Sequence, residues 1–148
     1  MYDVQGLEQL SKKLLAFEPK LAKKGIRRAQ RAAAKTFLPE VRSRAPVYEG
    51  PANPKTGRPV PGALRRSHRV RAMKRSRSRF GVKVTTAADA KEFSGEDDGF
   101  YGRWIELGSK SITPRGYIRA AFEAKEQAAA ETLAKELASE IDAIARGS

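Results

Sequence analysis

A chain of 148 residues with 40% hydrophobic and 32% charged content can bury one modest core, and its mean hydropathy of −0.59 keeps much of it wet. It holds no cysteine and a single histidine, which excludes disulfides, thiolate metal sites and an imidazole-built zinc centre. The formal charge of +13 is uneven: residues 1–79 carry 21 Lys and Arg against 5 Asp and Glu, whereas residues 80–148 carry 9 against 12.

Such polarity suits two partners. A basic half attracts a nucleic-acid backbone by displacing condensed counterions, and it equally attracts an acidic surface on a neighbouring copy of the chain. Charge alone leaves both open. Met1 to Leu15 mixes acids and lysines in place of an apolar leader, and no run approaches the roughly 20 apolar residues of a membrane span. The expectation is a single domain over 1–148, made in the cytoplasm, with no membrane partner.

In chain order, Val4, Leu7, Leu10, Leu14 and Phe17 recur at helical spacing and predict a first helix. Pro19 suits the first turn of a second, and Leu21, Ile26, Ala29, Ala33, Phe37 and Val41 extend it over residues 19–44. Its other face carries Lys20, Lys23, Lys24, Arg27, Arg28, Arg31 and Lys35, like charges that call for something negative opposite. Pro39 predicts a kink or stop near Thr36–Leu38, and Pro46 ends the helix. Residues 47–62 are too rich in Pro and Gly for helix or central strand and form an exposed loop, expected to order only on assembly.

Ala63–Met73 and Arg79–Thr86 read as two strands of a basic hairpin over 63–86, the second with Phe80, Val82 and Val84 alternating against polar residues. Residues 87–99, with Asp89, Glu92, Glu96, Asp97 and Asp98, form an acidic loop. Phe100, Tyr101, Trp104, Ile105 and Leu107 suit a short core-plugging helix stopped by Gly108, with Trp104 and Leu107 as core side chains. Ser109–Gly116 reads as an edge strand or a loop. Tyr117 to Ala145 contains neither Gly nor Pro and predicts a long helix whose stripe is Ile118, Ala121, Phe122, Ala129, Leu133, Leu137, Ile141 and Ile144. The fold class is therefore α+β, with long N-terminal and C-terminal helices packed on a small antiparallel sheet.

Chemistry finds little support. His68 stands among Arg65, Arg66, Arg69 and Arg71, whose charge favours its neutral form, and no nearby carboxylate orients it as a base; it reads as a surface residue. The acids of 89–98 lack the spacing of a calcium loop, and the glycines of 50–62 lack the Lys-Ser/Thr of a phosphate cradle. No enzyme and no cofactor are expected. Glu106, between Ile105 and Leu107, needs a partner if buried, and Arg115 or Arg119 is the expected ion pair. The strongest charge feature is Leu64–Phe80, whose Arg65, Arg66, Arg69, Arg71, Lys74, Arg75, Arg77 and Arg79 form a candidate interface or DNA-channel surface. Alternation along a strand would put Arg65, Arg69 and Arg71 on one side and Arg66 on the other. Without a recognition-helix pattern, base-specific reading is not expected.

The Gly6-Leu7 start, the long amphipathic helix, Ala45-Pro46-Val47, Thr56-Gly57, and Gly62 with Leu64-Arg65 and Ser67 stand in the order of a known family. Tyr101, Trp104-Ile105-Glu106-Leu107-Gly108-Ser109, then Pro114 and Tyr117-Ile118-Arg119-Ala120-Ala121-Phe122 follow in register. The chain resembles the HK97 gp10-like family of tailed-phage head–tail joining or tail completion (neck) proteins. Tyr101, Trp104, Glu106, Gly108, Pro114 and Arg119 carry its signature; Ala120 departs from it, standing where proline is frequent. The resemblance implies a non-enzymatic virion subunit that assembles as a homo-oligomeric ring around the DNA conduit. Adjoining neck, connector or tail terminator proteins would be its neighbours, and double-stranded DNA would be met through backbone charge only. The reading kept beside it is a basic, non-sequence-specific nucleic-acid-binding protein.

Overall fold

The computed structural model describes residues 6–51, 61–73, 81–85 and 101–147. Five helices and two strands follow in order among them: α1 (Leu7–Leu15), α2 (Pro19–Arg44), α3 (Ala63–Ser67), β1 (Arg69–Ala72), β2 (Val82–Thr85), α4 (Gly102–Leu107) and α5 (Tyr117–Ala145). The α+β class holds. Helices dominate, and β1 pairs with β2 in a two-stranded antiparallel sheet that the Met73 N–H extends by donating to the Gly81 carbonyl at 2.9 Å. The acidic segment 87–99, loop residues 52–60, Val4, Phe80 and Phe100 lie outside the described residues.

The chain divides into two compact units, each with its own apolar centre. In the unit built from residues 1–36, 71–83 and 125–148, Leu14 of α1, Ala22 and Ala29 of α2 and Leu137 of α5 are buried, with Leu10, Ile26, Leu133 and Ile141 packed round them. Small residues make that packing close. A Cβ on buried Gly25 would stand 3.3 Å from the Glu140 Cβ, so glycine lets α2 and α5 approach there. Leu21, expected on the inner stripe, is 42% exposed and Ala22 takes its place.

The second unit, residues 37–70 and 84–124, gathers Val41 and Ala45 from the end of α2 and its exit, Leu64 from α3, and Tyr117 and Ala121 from α5. Phe37, Val84, Tyr101, Ile105 and Ile118 close round them. Phe122 is 53% exposed, contrary to its place in the predicted stripe, and its ring stacks on Phe37 with centroids 4.8 Å apart.

Two further expectations give way. Helix α2 continues through Pro39 to Arg44, so the expected stop is absent, and the Lys35 carbonyl one turn back has no N–H at residue 39 to accept from. Residues 63–67 form a helix instead of the start of a strand, because Gly62 at φ 75° turns the chain and Leu64 can then enter the core at 0% exposure. Ser109–Gly116 contains no strand; it is a loop pinned by the Ser109 N–H on the Ile112 carbonyl at 2.9 Å.

Candidate functional site

The predicted cationic hairpin separates into parts with different work. Arg65 lies on α3, not on a strand, and its guanidinium donates to the Ala45 carbonyl at 3.1 and 3.3 Å and to the Ser43 carbonyl at 3.4 Å. Those carbonyls belong to the last turn of α2 and its exit, where intrahelical donors run out, and Pro46 has no N–H to extend the ladder. Arg65 is thus a helix-end cap. Arg66 donates to the Pro61 carbonyl at 3.3 Å and holds the turn before α3. Arg69 and Arg71 stand on β1, the first exposed and the second half-buried. Lys74, Arg75, Arg77 and Arg79 lie outside the described residues.

His68 is not a surface residue. It is 0% exposed, and its Nε2 lies 2.9 Å from the Tyr117 hydroxyl, with the two rings edge to face at 5.5 Å. Burial pushes its pKa below 6.5, and the Arg42 guanidinium adds to that; the Leu64 and Arg65 carbonyls and Glu106 pull the other way. The expected direction stands, but desolvation is the main cause instead of neighbouring arginines. The Nδ1 atom is buried without a hydrogen-bond partner, so the Tyr117 hydroxyl is the hydrogen-bond contact of the ring among the described residues. Burial also pushes the Tyr117 phenol up, with Glu106 and Tyr101 adding to it. Arg42 donates to the His68 carbonyl at 2.9 Å and fixes the backbone on the other side.

Of the signature residues, Glu106 and Arg119 meet at the start of α5. The Glu106 carboxylate accepts the Ile118 N–H at 2.8 Å and the Arg119 N–H at 3.1 Å, so its partner is the helix N-terminus and not an arginine side chain. Orphan N–H donors and the positive end of the helix dipole make that a good seat for a carboxylate. The Glu106 carbonyl accepts from the Gly116 N–H at 3.3 Å, and the Ile105 carbonyl from the Arg115 N–H at 2.8 Å. Glu106→Ala is expected to lower stability by about 1–2 kcal/mol, and Glu106→Gln by less, since the amide oxygen still accepts. Urea titration of both variants checks this, and equal losses would show that the charge carries the effect.

Trp104 and Leu107, expected in the core, are 44% and 65% exposed, and Ile112 beside them is 39% exposed. Tyr101 and Ile105 turn inward from the same helix instead. Glycine at 102 is buried, so α4 presses its backbone to the core there and directs Trp104 and Leu107 outward. Composition showed the aromatic cluster but not its side. The pairing of His68 with Tyr117 had no local signal, because the partners are 49 residues apart.

Among the described residues, no group of His, Cys, Asp and Glu could hold a metal ion, and no helix is long and apolar enough to cross a membrane. No curated protein and no solved structure matches the chain. One family model does, over residues 8–108, described as "Bacteriophage HK97-gp10, putative tail-component". The match ends at Gly108, so the Pro114-to-Phe122 half of the resemblance lies beyond it. That description is of a structural component and not of an enzyme family. With more than half its length matched, the chain belongs to the HK97 gp10-like family of phage tail components.

Proposed function

We infer that this chain is a neck subunit of a tailed-phage virion, at the head–tail junction or tail completion point, which closes with identical copies into a ring around the DNA conduit. The observation that carries this reading is the exposed apolar set Trp104, Leu107 and Ile112 within the family signature. Trp104 and Leu107 are three residues apart on one face of α4, and the Ile112 carbonyl is hydrogen-bonded to the residue after Gly108. Exposed Arg103, Lys110 and Arg115 accompany them. An aromatic and aliphatic centre with cations at its edge is the composition of a protein–protein interface. A head-to-tail ring requires two unlike, complementary faces, and the opposite net charges of residues 1–79 and 80–148 supply both signs for them. Adjoining connector, neck or tail terminator proteins would stack on the ring's two ends.

Light scattering of the purified protein at low and high salt tests the reading. The expected species is a closed oligomer whose mass is a fixed multiple of 16.3 kDa. Leu107→Asp is expected to dissolve it into monomers that stay folded, with a helical circular dichroism spectrum like that of wild type, because the substitution is at an exposed position of the subunit. A wild-type chain that stays monomeric at high concentration in both salts would overturn it.

A further inference from the structure

The exposed face of α2 was not among the candidate site residues, yet it is the most one-sided charge feature of the described molecule. Lys20, Lys24, Arg31 and Lys35 are exposed, with Arg27 and Arg28 between them, and they recur at three- and four-residue spacing opposite the buried Ala22, Gly25, Ala29 and Ala33. All lie within one compact unit. The row runs about 22 Å along the helix at 1.5 Å per residue. No Asp or Glu occurs from residue 19 to residue 39.

Among the described residues, the longer helical surfaces elsewhere carry acids beside their cations. On α1, Lys12 meets Glu8 at 2.8 Å; at the end of α2, Arg44 meets Glu40 at 2.6 Å; and α5 mixes glutamates with its lysines. In this row Arg28 meets the Glu140 carboxylate at 3.4 Å. Lys20, Lys23, Lys24, Arg31 and Lys35 have no ion pair among the described residues. Lys20 moreover occupies the first turn, at the positive end of the helix dipole, where cations are disfavoured and acids are preferred. A sequence that sets acids beside the cations of its other longer helical surfaces and leaves this one doubly unfavourable is arranged for an external polyanion.

We propose that this face of α2 is a sequence-independent binding surface for the phosphate backbone of double-stranded DNA. A protein partner fits it less well: the face is lysine-rich with no aromatic residue, and protein interfaces are depleted in lysine and built on aromatic and apolar anchors. Duplex DNA presents one negative charge per about 1.7 Å of axis, so a row of this length meets phosphates along its whole extent. Four of the seven cations from residue 20 to residue 35 are lysines, which act as point charges, and contacts to phosphate carry no base information, so the binding is sequence-independent. The surface stands on α2 alone and holds whether or not the chain closes into a ring.

The test is fluorescence anisotropy of the full chain with a short random-sequence duplex over a salt series, comparing wild type with Lys20→Gln/Lys24→Gln/Arg31→Gln/Lys35→Gln. The slope of log affinity against log salt is expected to flatten by about 0.9 for each cation removed, and affinity near ~0.1 M salt to fall by about 100-fold or more. A control of equal charge change, Lys12→Gln/Lys13→Gln/Lys135→Gln/Arg146→Gln, at exposed positions outside α2 and outside the proposed ring contact, is expected to leave the slope nearly intact. Folding is monitored by thermal melts, where the α2 variant should melt no lower than wild type because like-charge repulsion is relieved. Equal losses in both variants would reduce the effect to net charge and overturn the proposal. So would an α2 variant with undiminished affinity, or a wild type that does not bind DNA at low salt. If that variant binds DNA normally but loses the ring mass seen in light scattering, the row faces an acidic protein surface and the DNA assignment fails. Loss of the ring in wild type bears only on the neck reading, and the DNA slope is read independently of it.

Discussion

Gly108→Ala is expected to lower stability by about 3–5 kcal/mol and the melting temperature by roughly 10 °C. Gly108 sits at φ 81° and ψ 170°, a region that glycine alone occupies readily, and forcing alanine there costs about 1–3 kcal/mol. A second cost is steric. The added Cβ would lie 2.9 Å from the Pro114 Cδ and 3.1 Å from the Ile112 carbonyl oxygen, so the loop must shift, at about 1–3 kcal/mol more. That loop carries Arg115 and Gly116 to the Ile105 and Glu106 carbonyls and sets the start of α5 against Glu106, so the displacement reaches the cap as well. Gly116→Ala is the matched control: its φ is +56° but nothing lies within 4 Å of the new carbon. It should lose only about 1 kcal/mol. Thermal melts of both variants decide the matter, and equal losses would mean that the crowding at Gly108 relaxes freely.

The parts of this fold that could be read from sequence are those whose information is local. Pro19 and Pro46 bracket α2, and the absence of Gly and Pro from Tyr117 to Ala145 defines α5, so both helices stand at their expected limits. Val82 and Val84 alternate and lie in β2. Gly108 stops α4 as expected. Residues 63–67 misled because five residues are too few for helical periodicity to show against alternation, and the turn at Gly62 that converts them to helix is a backbone property. Side-chain fate was less legible still. Trp104 and His68 exchanged their expected places: the large apolar ring is exposed, and the histidine in an arginine-rich run is sealed against Tyr117. Each outcome depends on what a distant segment brings to that position. Glu106 was legible by half, since an acid before a glycine stop needed a partner, but the donors were backbone N–H groups that no residue type announces. Arg65 likewise drew attention by its charge, whereas its work is to satisfy the carbonyls that end α2.

Acid is expected to destabilise the wild-type protein through His68 specifically, beginning near pH 6.5. The folded state holds the imidazole neutral, below its ordinary value of 6.5, because burial at 0% exposure penalises the charged ring and Arg42 stands beside it. Above pH 6.5 neither folded nor unfolded chain binds the proton, and the full stability is present. As pH falls below that value the unfolded chain takes up a proton that the folded chain refuses, so stability declines, by at most about 1.4 kcal/mol per pH unit for one group. The decline ends once pH passes the lowered folded-state value, below which both states carry the proton. His68→Gln removes the titration while its amide oxygen can still accept from the Tyr117 hydroxyl. The stability gap between wild type and this variant, from urea unfolding at pH 8 and pH 5, should therefore move against wild type at the lower pH, by no more than about 2 kcal/mol. Carboxylates elsewhere titrate alike in both proteins and cancel in the comparison. Tyr117→Phe adds a pH-independent arm: it strips the ring nitrogen of its hydrogen-bond partner and should cost about 1–3 kcal/mol already at pH 8. A gap that stays constant between the two pH values would show that the folded protein protonates His68 as readily as the unfolded chain, and that the pocket against Tyr117 admits water.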